Sequence, residues 1–301
     1  MEAFEPKSSF YDASELNLLP EYSVYKRGLN ELFQIDFSTL SIQDLGHRIM
    51  DKLVLLHNLY RKFDINELAN TKFYRVRSNI QDKDLHKLSS YSYPKAGLCA
   101  KNQRANLSNT TVFYCGDAAW GAILESRPSI NSILYLSIWN VKPHRELKAS
   151  ICLSREMSLN NPLNFMAKEI HKFTEEHLKI YNNDKVEQLK LMHEFIPVLI
   201  NNDKPPYYLS SWLCYQILNE NECDFLIYPS SVNEEYNNFA VNPEVVDAFF
   251  ELEKIIKFKV TGDGVGSVKL RNGNIGEVVN NRVVYRPYDN SDDNFIDSIL
   301  K

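Results

Sequence analysis

The prediction of the fold starts from residues 111–125, which read Thr111-Val112-Phe113-Tyr114-Cys115-Gly116-Asp117-Ala118-Ala119-Trp120-Gly121-Ala122-Ile123-Leu124-Glu125. The first five residues predict a short strand, Gly116 and Asp117 predict a turn, and a helix is expected to begin near Ala118. Tyr114 on the strand and Glu125 on the helix are polar groups that core-forming segments do not require. Both residues are therefore candidates for a buried polar site.

Other polar side chains are embedded in short apolar runs on both sides of this stretch. They are Arg75 and Arg77 in Tyr74-Arg75-Val76-Arg77, Arg104 and Asn106 in Arg104-Ala105-Asn106, Ser230 in Ile227-Tyr228-Pro229-Ser230, and Asn238 in Asn237-Asn238-Phe239-Ala240. Arg75 and Arg77 are two residues apart on a predicted strand over 71–77, so they share one of its faces. Ser211, on a predicted helix from Tyr208 to Leu218, is a further candidate donor. Each residue alone has a plain alternative as an exposed arginine or glutamate, a core tyrosine or a turn-capping serine.

The composition is that of an ordinary globular protein and excludes several classes. The chain has 301 residues, of which 44% are hydrophobic and 24% charged. A net charge of -5 lacks the basic footprint of nucleic-acid-binding proteins, and no apolar run approaches the ~18 residues of a membrane-spanning helix. The five cysteines form no C-x-x-C pair, which argues against a zinc site and favours a reducing, cytoplasmic compartment. We therefore expect no metal, no nucleic acid and no membrane as partners.

The pattern along the chain predicts an α+β protein with three segments. Residues 1–70 are predicted to form an N-terminal helical extension, because Leu45, Ile49 and Leu53 recur at helical spacing. Ser38 or Ser41 would cap that helix. Residues 71–254 mix strands and helices without regular alternation, so a doubly wound parallel sheet is not expected.

The third predicted segment, residues 255–301, changes character. A helix is predicted from Pro243 to about Lys254, and β-rich runs follow it. Turns are predicted at 262–264, at Asn272-Gly273 and at 280–281, which together indicate a C-terminal β-meander. The acidic tail from Tyr288 is expected to fray.

In their order along the chain, the polar segments resemble the RES family, named for an arginine, a glutamate and a serine. The resemblance rests on Tyr74-Arg75, Arg104-Ala105-Asn106, Tyr114, Ala122-Ile123-Leu124-Glu125, Tyr228-Pro229-Ser230 and Asn238-Phe239-Ala240. It covers roughly residues 71–245. The family usually carries glycine before the second arginine, where this chain has Gln103.

The resemblance implies an ADP-ribosyltransferase-like core of two small packed β-sheets with helices, and an NAD cleft between the sheets. Members of the family resemble toxins that degrade NAD or transfer ADP-ribose. The resemblance therefore implies NAD as substrate, and a toxin or defence effector that an antitoxin protein holds in check.

The same resemblance implies a division of roles. Glu125, Arg75 and Ser230 are the implied catalytic residues. The NAD-binding residues would be Arg77, Arg104, Asn106, Tyr114, Asn238 and, added outside the family segments, Ser211. The arginines suit a pyrophosphate, which they bind bidentately, and Tyr114 would stack on nicotinamide or ribose.

The chemistry suits these residue types. Cleavage of the nicotinamide–ribose bond passes through an oxocarbenium-like state, as glycoside hydrolysis does, and a carboxylate near the ribose would stabilise that charge. Nicotinamide departs neutral and needs no general acid. The acceptor stays open among water, phosphate and a protein side chain, so the alternatives are a glycohydrolase, a phosphorylase and a mono-ADP-ribosyltransferase. A non-catalytic nucleotide-binding or protein-interaction module is a further alternative. The apolar helical face within residues 1–70 could pack on the core, cover the cleft or form a homodimer surface.

Overall fold

The computed structural model describes residues 13–56, 59–69, 71–180, 185–220, 222–264 and 267–300. The chain is an α+β protein, as predicted. It divides into two compact units. Unit 1 comprises the described residues of Met1–Lys62, Ala96–Thr110 and Leu147–Pro229, and unit 2 those of Phe63–Lys95, Thr111–Glu146 and Ser230–Lys301. The units thus divide the predicted segment 71–254 between them.

The described helices and strands are as follows. The helices are α1 (Ala13–Leu16), α2 (Tyr22–Leu32), α3 (Ile42–Leu53), α4 (Ile65–Leu68), α5 (Ala119–Glu125), α6 (Asn164–Ile180), α7 (Val186–Asn202), α8 (Tyr208–Glu220), α9 (Pro243–Phe249) and α10 (Asp293–Leu300). The strands are β1 (Tyr60–Phe63), β2 (Lys72–Ser78), β3 (Phe113–Gly116), β4 (Ile133–Val141), β5 (Leu147–Ile151), β6 (Phe225–Pro229), β7 (Asn237–Val241), β8 (Phe250–Gly264), β9 (Ser267–Val279) and β10 (Arg282–Arg286).

Unit 2 is built on antiparallel strands in the order β7-β3-β2-β4-β8-β9-β10. Helices α5 and α10 contact each other and pack on one face of this sheet. Tyr74 of β2, Ile123 of α5 and Ile296 of α10 belong to the hydrophobic core beneath them. The first helix after β3 is therefore fixed against the centre of the sheet, and Glu125 is its last residue.

Unit 1 is mainly helical, with β5 and β6 paired in parallel. The predicted amphipathic helix is confirmed as α3, whose buried face contains Leu45, Ile49 and Leu53. Ser41 caps it, because its side chain accepts a hydrogen bond from the Asp44 N–H at 3.1 Å.

Three predictions about secondary structure are wrong. The segment 1–70 is not purely helical, because Tyr60–Phe63 forms β1. The helix predicted over 243–254 ends at Phe249, and β8 begins at the next residue because it pairs with β4. The tail beyond Tyr288 does not fray at once, because it forms α10, whose Ile296 is buried.

The Asn272-Gly273 turn is a further correction. These residues lie inside β9, so the described residues of the C-terminal region form three strands, not four. The register shifts there: Ile256 pairs with Ile275, but Phe258 pairs with Asn272, so β9 has an extra residue. A bulge of this kind favours glycine. A Cβ at Gly273 would lie 2.8 Å from the Lys257 carbonyl oxygen.

Candidate active site

The Glu125 carboxylate, at the C-terminal end of α5, is the centre of a polar cluster in unit 2. Its Oε1 accepts hydrogen bonds from Ser230 Oγ at 2.7 Å, Asn238 Nδ2 at 2.8 Å and the Ser231 N–H at 2.9 Å. Among the described residues, Oε2 receives one weak contact, from Ser231 Oγ at 3.5 Å. The carboxylate is half-buried. One oxygen is thus held by three donors, while the other is available to a ligand.

The loop from Ser230 to Tyr236 shapes this cluster. Ser230 is 4% exposed, and its N–H donates to the Tyr236 carbonyl at 2.9 Å. Its Oγ also accepts from the Val232 N–H at 3.2 Å, which makes a serine turn. The hydroxyl that donates to Glu125 is therefore fixed by the backbone around it.

Tyr114 lies on the same face of the sheet as the Glu125 cluster. Tyr74 pairs with Gly116, and Gly116 pairs with Asn238. Residues two apart on a strand share a face, so Tyr114 shares the face of Asn238. Tyr114 is half-buried, which places an aromatic ring on the face that Glu125 occupies.

Arg75 and Arg77 lie on the opposite face of that sheet. They alternate with Tyr74 on β2 and pair with Ser137 and Tyr135 of β4. Arg75 Nη1 donates to the Tyr114 carbonyl at 2.7 Å, and its guanidinium lies over the Phe113 ring at 5.2 Å. The register therefore separates the two arginine side chains from Glu125 by the thickness of the sheet.

Arg75 is nevertheless an unusual buried charge. It is 7% exposed, and its Nε has no hydrogen-bond partner among the described residues. Burial, and to a lesser extent the charge of Arg77, lowers the pKa of the Arg75 guanidinium to about 10. The guanidinium is still charged at neutral pH. It is therefore a buried cation whose Nε–H donor makes no hydrogen bond to the described residues.

The remaining predicted residues lie in unit 1, where each makes local contacts. Arg104 Nη1 donates to the carbonyls of Ile200 and Asn201 near the end of α7, where a cation is favourable. Asn106 Nδ2 donates to the carbonyls of Leu107 and Thr110, both at 3.0 Å.

Ser211 also belongs to unit 1. It is fully buried in α8, and its Oγ donates to the Tyr208 carbonyl at 3.4 Å. The structure therefore brings Glu125, Ser230 and Asn238 into direct contact, with Tyr114 on the same face of the sheet, and gives Arg104, Asn106 and Ser211 contacts within the other unit.

Sequence reasoning missed Ser231, Asp117 and Asn237. Asp117 Oδ2 accepts from Asn237 Nδ2 at 2.6 Å, and Oδ1 accepts from the Asn237 N–H at 3.0 Å. Burial raises the pKa of the Asp117 carboxyl, although these hydrogen bonds act in the opposite direction. The only signal in the sequence was the position of each residue beside a predicted site element.

Comparison of the chain with protein-family models, with curated proteins and with solved structures found no match. Within the described ranges, no group of three His, Cys, Asp or Glu side chains could hold a metal ion. No helix of the described chain is both long and apolar enough to cross a membrane.

Proposed function

We propose that this chain is a RES-type enzyme that consumes NAD by cleaving the nicotinamide–ribose bond, with water or phosphate as acceptor. In this proposal it has an ADP-ribosyltransferase-like core. It acts as a toxin or defence effector that an antitoxin protein restrains. Glu125 carries the chemistry, while Ser230 and Asn238 hold it in place.

The single observation that carries the proposal is the asymmetric binding of the Glu125 carboxylate. Three donors fix Oε1, whereas among the described residues Oε2 has only the 3.5 Å contact with Ser231. A carboxylate fixed in advance stabilises a developing positive charge without reorganising when the charge forms. The weakly bonded Oε2 of this half-buried carboxylate is the oxygen that would face the ribose.

The reaction balances without a further group from the protein. The bond between ribose C1′ and the pyridinium nitrogen breaks, and its electron pair neutralises the positive charge of the departing nicotinamide. The cation left on the ribose is stabilised by Glu125 Oε2 until the oxygen of water or phosphate bonds to C1′. When water is the acceptor, its proton passes to Glu125 Oε2 and from there to solvent. Tyr114, on the same face, is the proposed stacking partner of nicotinamide or ribose.

Arg75 is the proposed partner of the NAD pyrophosphate, supported by its burial and its unused Nε. Its side chain lies on the face of the sheet opposite to Glu125, so this role rests on the resemblance and not on the geometry of the Glu125 cluster. Arg77, Arg104, Asn106 and Asn238 stay in the proposal as NAD-binding residues on the resemblance. Ser211, which lies outside the family segments, stays as a further candidate donor.

The proposal is tested by nicotinamide release from NAD, with and without phosphate, by the wild-type chain and by Glu125→Gln. This variant keeps the acceptor oxygen that Ser230 contacts but removes the charge. We expect kcat to fall at least about 100-fold, the order seen when an electrostatic stabiliser of a transition state is removed. The matched control is Glu244→Gln, an exposed glutamate in the first turn of α9, which should change nothing.

Each other outcome has a defined meaning. Release that requires phosphate identifies a phosphorylase. NAD binding without release, together with labelling of a protein by ADP-ribose, identifies a transferase. A folded chain that neither binds NAD nor releases nicotinamide rejects the proposal and leaves a non-catalytic module.

A further inference from the structure

The strongest unassigned feature is the pair formed by Asp117 and Asn237, directly beside the Glu125 cluster. Asp117 is in the turn between β3 and α5, and Asn237 is the first residue of β7. The two are joined by three hydrogen bonds: the two that the Asp117 carboxylate accepts, at 3.0 and 2.6 Å, and one from the Asp117 N–H to the Asn237 carbonyl at 3.3 Å. Asn237 is 1% exposed.

The pair is connected to the active site by one peptide bond. Asn238 follows Asn237, pairs with Gly116 and donates to Glu125 Oε1 at 2.8 Å. Gly116 in turn precedes Asp117. The carboxylate of Asp117 therefore fixes the start of β7 at the point where the Asn238 amide must be presented to Glu125.

The hydrogen bonds from Asn237 require that both side-chain oxygens of residue 117 act as acceptors. A carboxylate accepts the backbone and side-chain N–H groups of Asn237 together. An asparagine at position 117 has the same shape but offers one acceptor oxygen. Its side-chain NH2 group would face one of the two Asn237 N–H donors, so that hydrogen bond could not form. Burying a carboxylate is costly unless it is hydrogen-bonded, and each oxygen of Asp117 accepts a hydrogen bond from Asn237.

We propose that Asp117 is a positioning residue for Glu125: through Asn237 it fixes the start of β7, so that the Asn238 amide holds the Glu125 carboxylate. The expected effect of Asp117 on catalysis rests on the proposed function. Its expected effect on the position of the Asn238 amide does not. Asp117 does not touch the reacting atoms in this mechanism.

The test is the variant Asp117→Asn in the full-length chain, measured in two ways. The first readout is the NMR signal of the Asn238 side-chain amide, together with the pH titration of the Glu125 carboxyl group. The second is nicotinamide release, separated into kcat and KM. We expect the amide signal to move toward the position of a solvent-exposed amide, and kcat to fall about 10- to 100-fold, as for small misplacements of a reacting group. KM should stay within about twofold, since NAD contacts are retained.

A double variant tests the donor and acceptor pattern. Combining Asp117→Asn with Asn237→Asp exchanges the amide and the carboxylate between the two positions. It should recover the Asn238 signal and most of kcat, which a general loss of stability would not allow. The matched control is Asp247→Asn, which alters an exposed aspartate of unit 2 that accepts from Tyr93 and should leave both readouts unchanged.

If Asp117→Asn does not fold, Asn237→Ala removes the side-chain donor alone and should produce a smaller change of the same kind. An unmoved Asn238 signal with unchanged Glu125 titration in a folded variant would overturn the inference. Absence of nicotinamide release by the wild-type chain would instead reject the proposed function, and the NMR readouts would still decide whether Asp117 positions Glu125.

Discussion

At the scale of single residues, the three donors around Glu125 come from two segments more than one hundred residues away in the chain. Ser230 and Ser231 follow β6, and Asn238 lies on β7. Such a convergence fixes a carboxylate rotamer, because turning the side chain would leave three donors without their acceptor. The rigidity that the proposed chemistry requires is thus a property of the folded chain, not of α5 alone.

Asp117 gives a prediction about pH. Its pKa is raised by burial, so its contribution to stability is fully present below the unfolded-state pKa, about 4, and is lost as pH rises through the folded-state pKa. The wild-type chain should therefore gain stability relative to Asp117→Asn as pH falls from neutrality toward about 4. The titratable neighbours Tyr236 and Cys115 have raised pKa values, and both are neutral across this window.

Urea unfolding of both chains at a series of pH values measures this difference. A difference in unfolding free energy that stays constant across the window would contradict the raised pKa.

The residues around Glu125 were predictable only in part. Glu125, Ser230 and Asn238 were proposed together from the order of their segments, and the structure brings them into contact. The opposite facing of Arg75 was not predictable, because the face that a side chain occupies depends on the register between β2 and β3. Ser231 and Asp117 were missed since their roles arise only when distant segments meet.

At the scale of elements, α10 is the feature that ties the end of the chain to the site helix. Arg286 donates to both carboxylate oxygens of Asp292, at 2.7 and 2.6 Å, just before α10 begins. Ile296 of α10 is 2% exposed and belongs to the same core as Ile123 of α5. The arginine–aspartate pair therefore holds a helix that packs against the one carrying Glu125.

Asp292→Asn should loosen α10. Hydrogen bonding to Arg286 lowers the pKa of Asp292 to about 2, so its stabilising contribution is present above the unfolded-state pKa and is lost only as pH falls through the folded-state value. At neutral pH we expect the variant to melt a few degrees lower than the wild type. The control is Asp297→Asn on the exposed side of the same helix. Equal melting temperatures for all three chains would show that the pair does not hold α10.

Helices and strands could be predicted from the sequence where a repeated spacing of apolar residues indicates them. The helical spacing of Leu45, Ile49 and Leu53 predicted α3 because its period is independent of tertiary contacts. β1 and β5 have four and five residues, too few to show a period, and they exist through their pairing. The Asn272-Gly273 signal identified a real irregularity, but a bulge and a turn favour the same residues.

At the scale of the whole molecule, each unit is assembled from separate stretches of sequence. Unit 2 takes its strands from the middle and the end of the chain. The region predicted as an appended meander is in fact the partner of a central strand, because β8 pairs with β4 along Ile133–Val141. A sequence-based division into consecutive segments could not show this, since the pairing of two strands depends on residues more than one hundred positions apart.

Truncation tests whether the C-terminal strands are integral to unit 2. A chain that ends at Lys254 loses Ile255, Ile256, Phe258 and Val260, which are at most 1% exposed. Burial of such side chains is worth about 1.5–3 kcal/mol each, so the four together amount to about 6–12 kcal/mol. That equals most of the free energy of unfolding of a typical domain, which is about 5–15 kcal/mol. We therefore expect unit 2 of this chain to be unfolded.

The control is a chain that ends at Tyr288, which keeps β8, β9 and β10 and removes α10. It should fold, melt at a lower temperature than the full chain and retain the Asn238 amide signal in a shifted position, because it keeps the strands but loses the packing of α10 on α5 and the Arg286–Asp292 pair. Circular dichroism and thermal melting distinguish the two truncations. Cooperative melting of the chain that ends at Lys254, with an unshifted Asn238 signal, would show instead that the C-terminal strands are an appendage and that the Glu125 cluster is formed without them.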